Sequence, residues 1–280
     1  MTAPTVNWPV RHDIFGVRVS ATTYDQAEAA IMDAARRRQG AVVTHMPVHG
    51  LITAATDAKY RQCVNRFEIV APDGQPVKWA LNKFHDAGLG DRCYGPELML
   101  RLCRRAAQQN VGVYLYGSTP HVIEKLTQRL LELCPGLNIV GRESPPFRPL
   151  SNIEHQEAAG RINDSGAGLV FIGLGCPRQD YFAERTRHEI RAVQLCVGAA
   201  FDFHAGNKKM APAWMQRRAL EWLFRLTHEP GRLWKRYLVT NSLFLMLCTR
   251  KMIFVRRKHR RVDAPSRRHA DVAPHEAGTI

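Results

Sequence analysis

Short apolar runs alternate with stretches of helical periodicity along most of this chain, and that alternation restricts the fold more than any other feature. The runs cover 41–44, 67–71, 112–116, 137–140, 168–174 and 193–197. Helices are expected from Thr22 or Thr23 to Arg38, over 51–65, from Pro96 to about Gln109, from Pro120 to about Leu133, and over 152–163 and 177–190. Repeated β–α alternation implies an α/β fold, a mainly parallel sheet with helices on both faces. Such sheets bind ligands beyond the carboxyl ends of their strands. Thr44, Asp73, Ser118, Arg178 and Gln179 fall at those ends.

The segment 169–180 has the strongest local signature. An apolar run breaks at Gly173-Leu174-Gly175, and Pro177 opens a polar helical stretch. Proline suits a first helical turn because its missing N–H costs nothing there. Gly173 and Gly175 let the backbone approach a ligand, and the N–H groups of a helix start attract phosphate. Arg178 and Gln179 follow within reach. An ordinary strand-to-helix connection explains the same residues. Asp73, after an apolar strand, is placed to accept a proton from an incoming hydroxyl, although Pro72-Asp73-Gly74 also reads as a plain turn. Thr44 ends the first strand of the alternating set and could meet a ligand hydroxyl or simply cap a helix. Arg92, before Tyr94-Gly95-Pro96, could reach a phosphate or lie in solvent. Asp202 follows a glycine turn and could orient a sugar or satisfy the turn. His45 and His49 have no third ligand at metal-site spacing, so no metal site is expected.

The chain carries a formal charge of +15, and nearly all of that excess lies between Lys208 and Arg268. That block holds 17 Lys and Arg against Glu221, Glu229 and Asp263. A localised basic block implies an anionic partner. Helices are expected over 212–228 and 233–248, mixing Trp214, Trp222 and Leu226 with Arg217, Arg218 and Arg225. Tryptophan and leucine beside arginine suit an anionic membrane surface, whereas no nucleic-acid motif is present. Seven scattered cysteines without a CxxC pair suggest a reducing compartment. The N-terminus has no apolar h-region, so no signal peptide is expected, and no apolar stretch reaches spanning length. The expected organisation is a catalytic domain over 1–206, a basic aromatic helical appendage over 207–262, and a disordered tail over 263–280.

Four blocks, taken in order, resemble the WecG/TagA/CpsF family of glycosyltransferases. They are Val42-Val43-Thr44 with His49; Ala71-Pro72-Asp73-Gly74 with Pro76-Val77; Gly173-Leu174-Gly175-Cys176-Pro177-Arg178-Gln179-Asp180; and Phe201-Asp202-Phe203 continuing through Ala211-Pro212, Leu220-Glu221-Trp222, Arg225-Leu226, Glu229-Pro230, Arg232 and Arg236-Tyr237. The match spans roughly 12–250. The resemblance implies a Rossmann-like sheet and an inverting transferase that moves a sugar from a UDP-sugar to a polyprenyl-diphosphate-linked acceptor. It implies a membrane-binding C-terminal appendage, in exopolysaccharide or related surface-glycan assembly. On it Asp73 is the general base and Thr44 contacts the sugar. Gln179 and Arg92 hold the donor, while Arg225, Arg232 and Arg236 neutralise the leaving diphosphate. No cofactor is implied and no DxD-type metal motif is evident, so cations must meet the leaving-group charge. The expected location is cytoplasmic and peripheral, on the inner face of the cell membrane; a homo-oligomer is left open.

The chain departs from the family pattern at Met46, where Asn is usual, at Met210, where Arg is usual, and at Lys235, which lacks the bidentate fork of Arg. Met46 and Met210 are what favours the alternative, a non-catalytic membrane-associated scaffold of the same fold. A nicotinamide-dependent oxidoreductase is disfavoured, because no GxGxxG follows the first strand.

Overall fold

A computed structural model describes residues 5–262, without the side chains of Arg232 and of 254–262. The chain opens with an antiparallel hairpin, β1 (Arg11–Ile14) and β2 (Val17–Ser20). Its two turn residues, Phe15 and Gly16, both have positive φ, the backbone twist that two-residue hairpins favour. Helix α1 (Tyr24–Arg36) starts from a capping box between Thr23 and Gln26. Strand β3 (Ala41–Met46) leads to α2 (Val48–Thr56) and α3 (Ala58–Val64). The single helix expected over 51–65 is therefore two. Asp57 ends the first, and its carboxylate caps the second by accepting the Lys59 and Tyr60 N–H groups at 2.8 and 3.1 Å.

The chain continues through β4 (Ile69–Pro72), α4 (Gln75–His85), α5 (Gly95–Gln109), β5 (Val113–Gly117) and α6 (Pro120–Leu133). Then come β6 (Ile139–Glu143), α7 (Asn152–Asp164), β7 (Leu169–Gly173), α8 (Arg178–Thr186), β8 (Val193–Cys196) and α9 (Ala200–His204). Pro177 is the N-cap of α8 and lies just outside its first turn.

Six strands form one parallel sheet in the order β4-β3-β8-β7-β5-β6. This is the parallel α/β architecture expected from the alternation, and the Rossmann-like sheet that the resemblance implies. One face packs under α1, α5, α6 and α9 through Ile31, Leu102, Leu126 and Phe201. The other carries α3, α7 and α8, with Phe182 stacked on Tyr116 at 4.5 Å. Strand β5 connects outward to β6, whereas its neighbour β7 connects the opposite way to β8. Their following helices therefore lie on opposite faces, which opens a crevice at the carboxyl ends of β5 and β7.

Backbone atoms meet closely at the mouth of that crevice. Gly117 and Gly173 are register partners, and a Cβ on Gly117 would lie 2.7 Å from the Gly173 carbonyl carbon, at a φ of 124°. Gly117→Ala is expected to destabilise the protein by roughly 2–4 kcal/mol, through left-handed strain and overpacking together. Chemical denaturation against wild type measures it.

Three further helices follow, α10 (Ala213–Arg217), α11 (Glu221–His228) and α12 (Pro230–Val262). The helix expected over 212–228 is interrupted where Ala219 takes a φ of 60° and the Leu220 N–H turns back to the Met215 carbonyl. The contiguous hydrophobic core ends at Phe201. By contacts the chain forms two compact units, one running to Phe244 and one from Leu245 onward. Within the first, Trp214, Trp222, Trp234, Leu238 and Val239 are exposed. Among the described residues no helix is long and apolar enough to cross a membrane. The expected tail over 263–280 lies outside the described residues.

Candidate active site

Asp73 sits immediately after β4. Its N–H donates to the Met46 carbonyl at 3.2 Å, which ties it to the end of β3. The Cys93 N–H donates to the Pro72 carbonyl at 2.9 Å, so the segment entering α5 is laid against the same strand end and Arg92 is delivered beside Asp73. Burial pushes the Asp73 carboxyl up to about 6; Arg92, Arg225 and the Gly95 N–H pull it down, and Glu221 pushes it further up. A half-buried carboxyl in that range suits a base working near neutral pH.

Around it lies a polar cluster drawn from distant parts of the chain. The buried Arg92 guanidinium pairs with Glu221 Oε2 at 2.7 Å, donates to Gln216 Oε1 at 3.0 Å, and lies 4.1 Å from the centre of the Tyr94 ring. The Tyr94 hydroxyl donates to Glu221 Oε1 at 3.1 Å. One turn further along α11, Arg225 brings Nε within 3.6 Å of the same oxygen and covers the Phe203 ring at 5.0 Å. Tyr94, Gln216 and Glu221 were given no role in the sequence reading, although Glu221 lies in the Leu220-Glu221-Trp222 part of the family match and forms an i,i+4 pair with Arg225 on a helix.

Thr44 and Gln179 occupy neighbouring strand ends. The buried Thr44 hydroxyl donates to Asp180 Oδ1 at 2.5 Å, and the Tyr60 hydroxyl donates to Asp180 Oδ2 at 3.0 Å. Burial raises the Asp180 carboxyl to about 6. The Thr44 proton is thus committed within the fold, and its oxygen lone pairs are what remains for a ligand. Gln179 Oε1 accepts the Gly175 N–H at 3.2 Å and packs against Gly198, joining the glycine turn to the β8–α9 turn. Gly175 itself, at a φ of 80°, faces open space. A Cβ on Gly173 would meet the Phe201 ring at 2.5 Å, so that glycine admits α9 beneath the turn.

Arg178 is exposed and lines a cavity of about 270 Å³ at the β5–β7 crevice, with Ser118, Phe147, Arg148, Leu174 and Tyr181. Phe147 is 75% exposed at its rim. Asp202, half-buried on α9, closes the following turn with its backbone carbonyl, which accepts the Asn207 and Lys208 N–H groups. Arg236 approaches His49 and Cys176; with burial, its charge pushes His49 down to about 4. The Arg232 side chain lies outside the described residues. Asp73, Arg92 and Arg225 therefore form one cluster, Thr44 and Gln179 stand at adjacent strand ends, and Arg178 belongs to the crevice.

The two departures at methionine have different surroundings. Met46 is fully buried and its sulfur lies under Gly50, while its carbonyl still holds Asp73. Met210 is partly exposed and lines a second cavity of about 330 Å³ beside Arg92, Tyr94 and Gln216.

Comparison with known proteins bears on the family of the chain. The model of the family described as "Glycosyl transferase WecG/TagA/CpsF family" matches residues 12–258. Over 240 residues the chain is 30% identical to an N-acetylglucosaminyldiphosphoundecaprenol N-acetyl-beta-D-mannosaminyltransferase of Bacillus spizizenii, a match covering 85% of this chain and 84% of that protein. With the matched family model covering the sheet, the Asp73 cluster and the helices that close over it, this chain belongs to the WecG/TagA/CpsF family of glycosyltransferases.

Proposed function

We propose that the protein transfers a sugar, with inversion, from a UDP-sugar to a polyprenyl-diphosphate-linked acceptor at an anionic membrane surface, as a step in surface-glycan assembly such as exopolysaccharide synthesis. The observation that carries this reading is the Asp73 carboxyl, raised to about 6 by burial and flanked by Arg92 and Arg225. In the reaction the acceptor hydroxyl oxygen attacks the anomeric carbon. Its proton passes to Asp73, and the bond to the diphosphate oxygen breaks with the electron pair leaving on UDP. Arg92 and Arg225, with Arg236 from α12, meet the charge that develops on that oxygen. Thr44 faces the sugar, and Gln179 keeps the glycine turn beside the donor in place.

The crevice between β5 and β7 supports a place for the nucleoside. It combines an exposed aromatic ring, the Gly173 backbone and Arg178. Base-on-ring stacking contributes about 1–2 kcal/mol, so Phe147→Ala is expected to weaken UDP binding roughly 5- to 30-fold while leaving kcat at saturating donor little changed. Calorimetric titration with UDP checks it.

The acceptor class draws on the relative named above, whose name specifies N-acetylglucosaminyldiphosphoundecaprenol. The membrane reading is supported by exposed Trp214, Trp222 and Trp234 among basic residues, an interfacial composition. The test is UDP release from a panel of UDP-sugars, with lipid-linked acceptor in anionic vesicles. Acceptor-dependent release from one donor identifies the sugar. No release from any donor, with acceptors of several head sugars present, overturns the transferase reading and favours the scaffold.

A further inference from the structure

Glu221 has no role in the reaction as set out so far, yet it lies at the centre of the polar cluster. Three groups hold its carboxylate: Arg92 at 2.7 Å and the Tyr94 hydroxyl at 3.1 Å, both from the segment entering α5, and Arg225 at 3.6 Å, one turn along α11 itself. The ion pair with Arg92 is nearly out of solvent, with side-chain exposures of 8% for Arg92 and 13% for Glu221. Desolvating two charges consumes much of their mutual attraction, so stability alone is a weak reason to bury such a pair. The two guanidinium groups that Glu221 holds are the ones whose charges act on the proposed base.

We propose that Glu221 is a positioning residue for transfer: it fixes Arg92 and Arg225 for the leaving diphosphate while cancelling their charge at Asp73. The proposal rests on Asp73 being the base. Two unopposed guanidinium groups beside a carboxylate stabilise its ionised form and weaken it as a proton acceptor. A resident carboxylate between them removes that penalty and leaves both cations aimed. An arriving diphosphate then exchanges with Glu221 for the guanidinium protons, and the charge balance passes from the protein to the leaving group as the bond breaks. Ground-state anion affinity is given up, and transition-state stabilisation is gained.

The charged and titratable groups around Asp73 are accounted for. Tyr24 approaches from α1, Arg92, Cys93 and Tyr94 from the segment entering α5, and Glu221 and Arg225 from α11; Tyr237 of α12 faces Arg225 and Glu221. Of these, Glu221 is the partner that raises Asp73, against Arg92 and Arg225, which lower it.

The experiment compares wild type, Glu221→Gln and Glu221→Asp in the full chain, with two readouts. The first is the acid limb of kcat/KM for the acceptor, and the second is the Kd for UDP at fixed salt. Glutamine keeps the size and a hydrogen-bonding oxygen but loses the charge. Its limb is expected to move to lower pH by about one unit, its kcat at pH 7 to fall roughly tenfold, and its UDP binding to tighten several-fold. Aspartate keeps the charge, so its limb is expected to stay with wild type while kcat falls through lost reach.

A limb unmoved in Glu221→Gln, or UDP binding weakened equally in both variants, overturns the proposal and leaves a structural brace. Neither readout depends on the folded fraction. Should the glutamine variant not fold at all, Arg225→Gln gives the opposite sign: removing one of the opposed cations moves the limb to higher pH, and an unmoved limb counts against the proposal. If Asp73→Asn retains the wild-type limb, the base assignment fails. The UDP comparison then decides Glu221 separately, tighter binding in Glu221→Gln supporting charge cancellation and equal or weaker binding refuting it.

Discussion

Asp73→Asn is expected to lower kcat about a thousandfold, within the range that a positioned general base contributes, while UDP binds as well as to wild type or somewhat better. Asparagine preserves the size of the side chain and the turn, because the backbone bond to the Met46 carbonyl does not involve the carboxylate. What it removes is the proton acceptor. It also removes a negative charge beside Arg92 and Arg225, which leaves those cations freer for the diphosphate. Single-turnover transfer at saturating donor, with UDP affinity measured in parallel, separates the two effects. A variant that retained a tenth or more of wild-type turnover would place the base elsewhere.

Truncation after Ala211 is expected to leave a folded protein whose transfer is reduced at least a hundredfold. The main contiguous core cluster draws its last member from Phe201, so the six-stranded sheet and the helices on both its faces remain. Lost with α10, α11 and α12 are Gln216 and Glu221, which hold Arg92, and Arg225, whose charge with that of Glu221 acts on Asp73. Loss of cations that meet a developing negative charge costs a large factor in rate. Leu233 and Phe244, buried in the intact protein, go with the helices that carry them. Phe244 packs edge-on against Phe15 of the hairpin turn at 6.0 Å, so a lower Tm accompanies the loss of activity. Circular dichroism establishes the fold and a UDP-release assay the rate; full activity would remove the C-terminal helices from the reaction.

The parallel sheet was legible because five of its six strands are short, mostly apolar, buried runs between turn signals, and that pattern is local; the edge strand β6, Ile-Val-Gly-Arg-Glu, is only partly buried and lies a little beyond the run expected over 137–140. The hairpin was not, because Arg11-His12-Asp13-Ile14 is mostly polar and only four residues long. The breaks at Asp57 and Ala219 were also hidden. One depends on a carboxylate capping two N–H groups and the other on a single left-handed residue, and neither interrupts the apolar period enough to be seen.

At the site, Asp73, Arg92 and Arg225 could be proposed from motifs, but what surrounds them could not. The Tyr94 bond to Glu221 joins residues 127 apart, and the Thr44 bond to Asp180 joins residues 136 apart. No local periodicity encodes such pairs. Asp180 reads in the sequence as an acidic residue in a first helical turn, a common dipole complement. In the fold it accepts two buried hydroxyls instead.

The most direct test of the central claim is the pH dependence of kcat/KM for the lipid-linked acceptor in the full-length protein. Burial favours the neutral carboxyl of Asp73 and raises it to about 6. The base is therefore active above that pH and progressively protonated below it. The account predicts an acid limb near pH 6 that is absent from the residual activity of Asp73→Asn. A limb near pH 4, where an ordinary solvated carboxylate titrates, or a flat profile between pH 5 and 8, would contradict it.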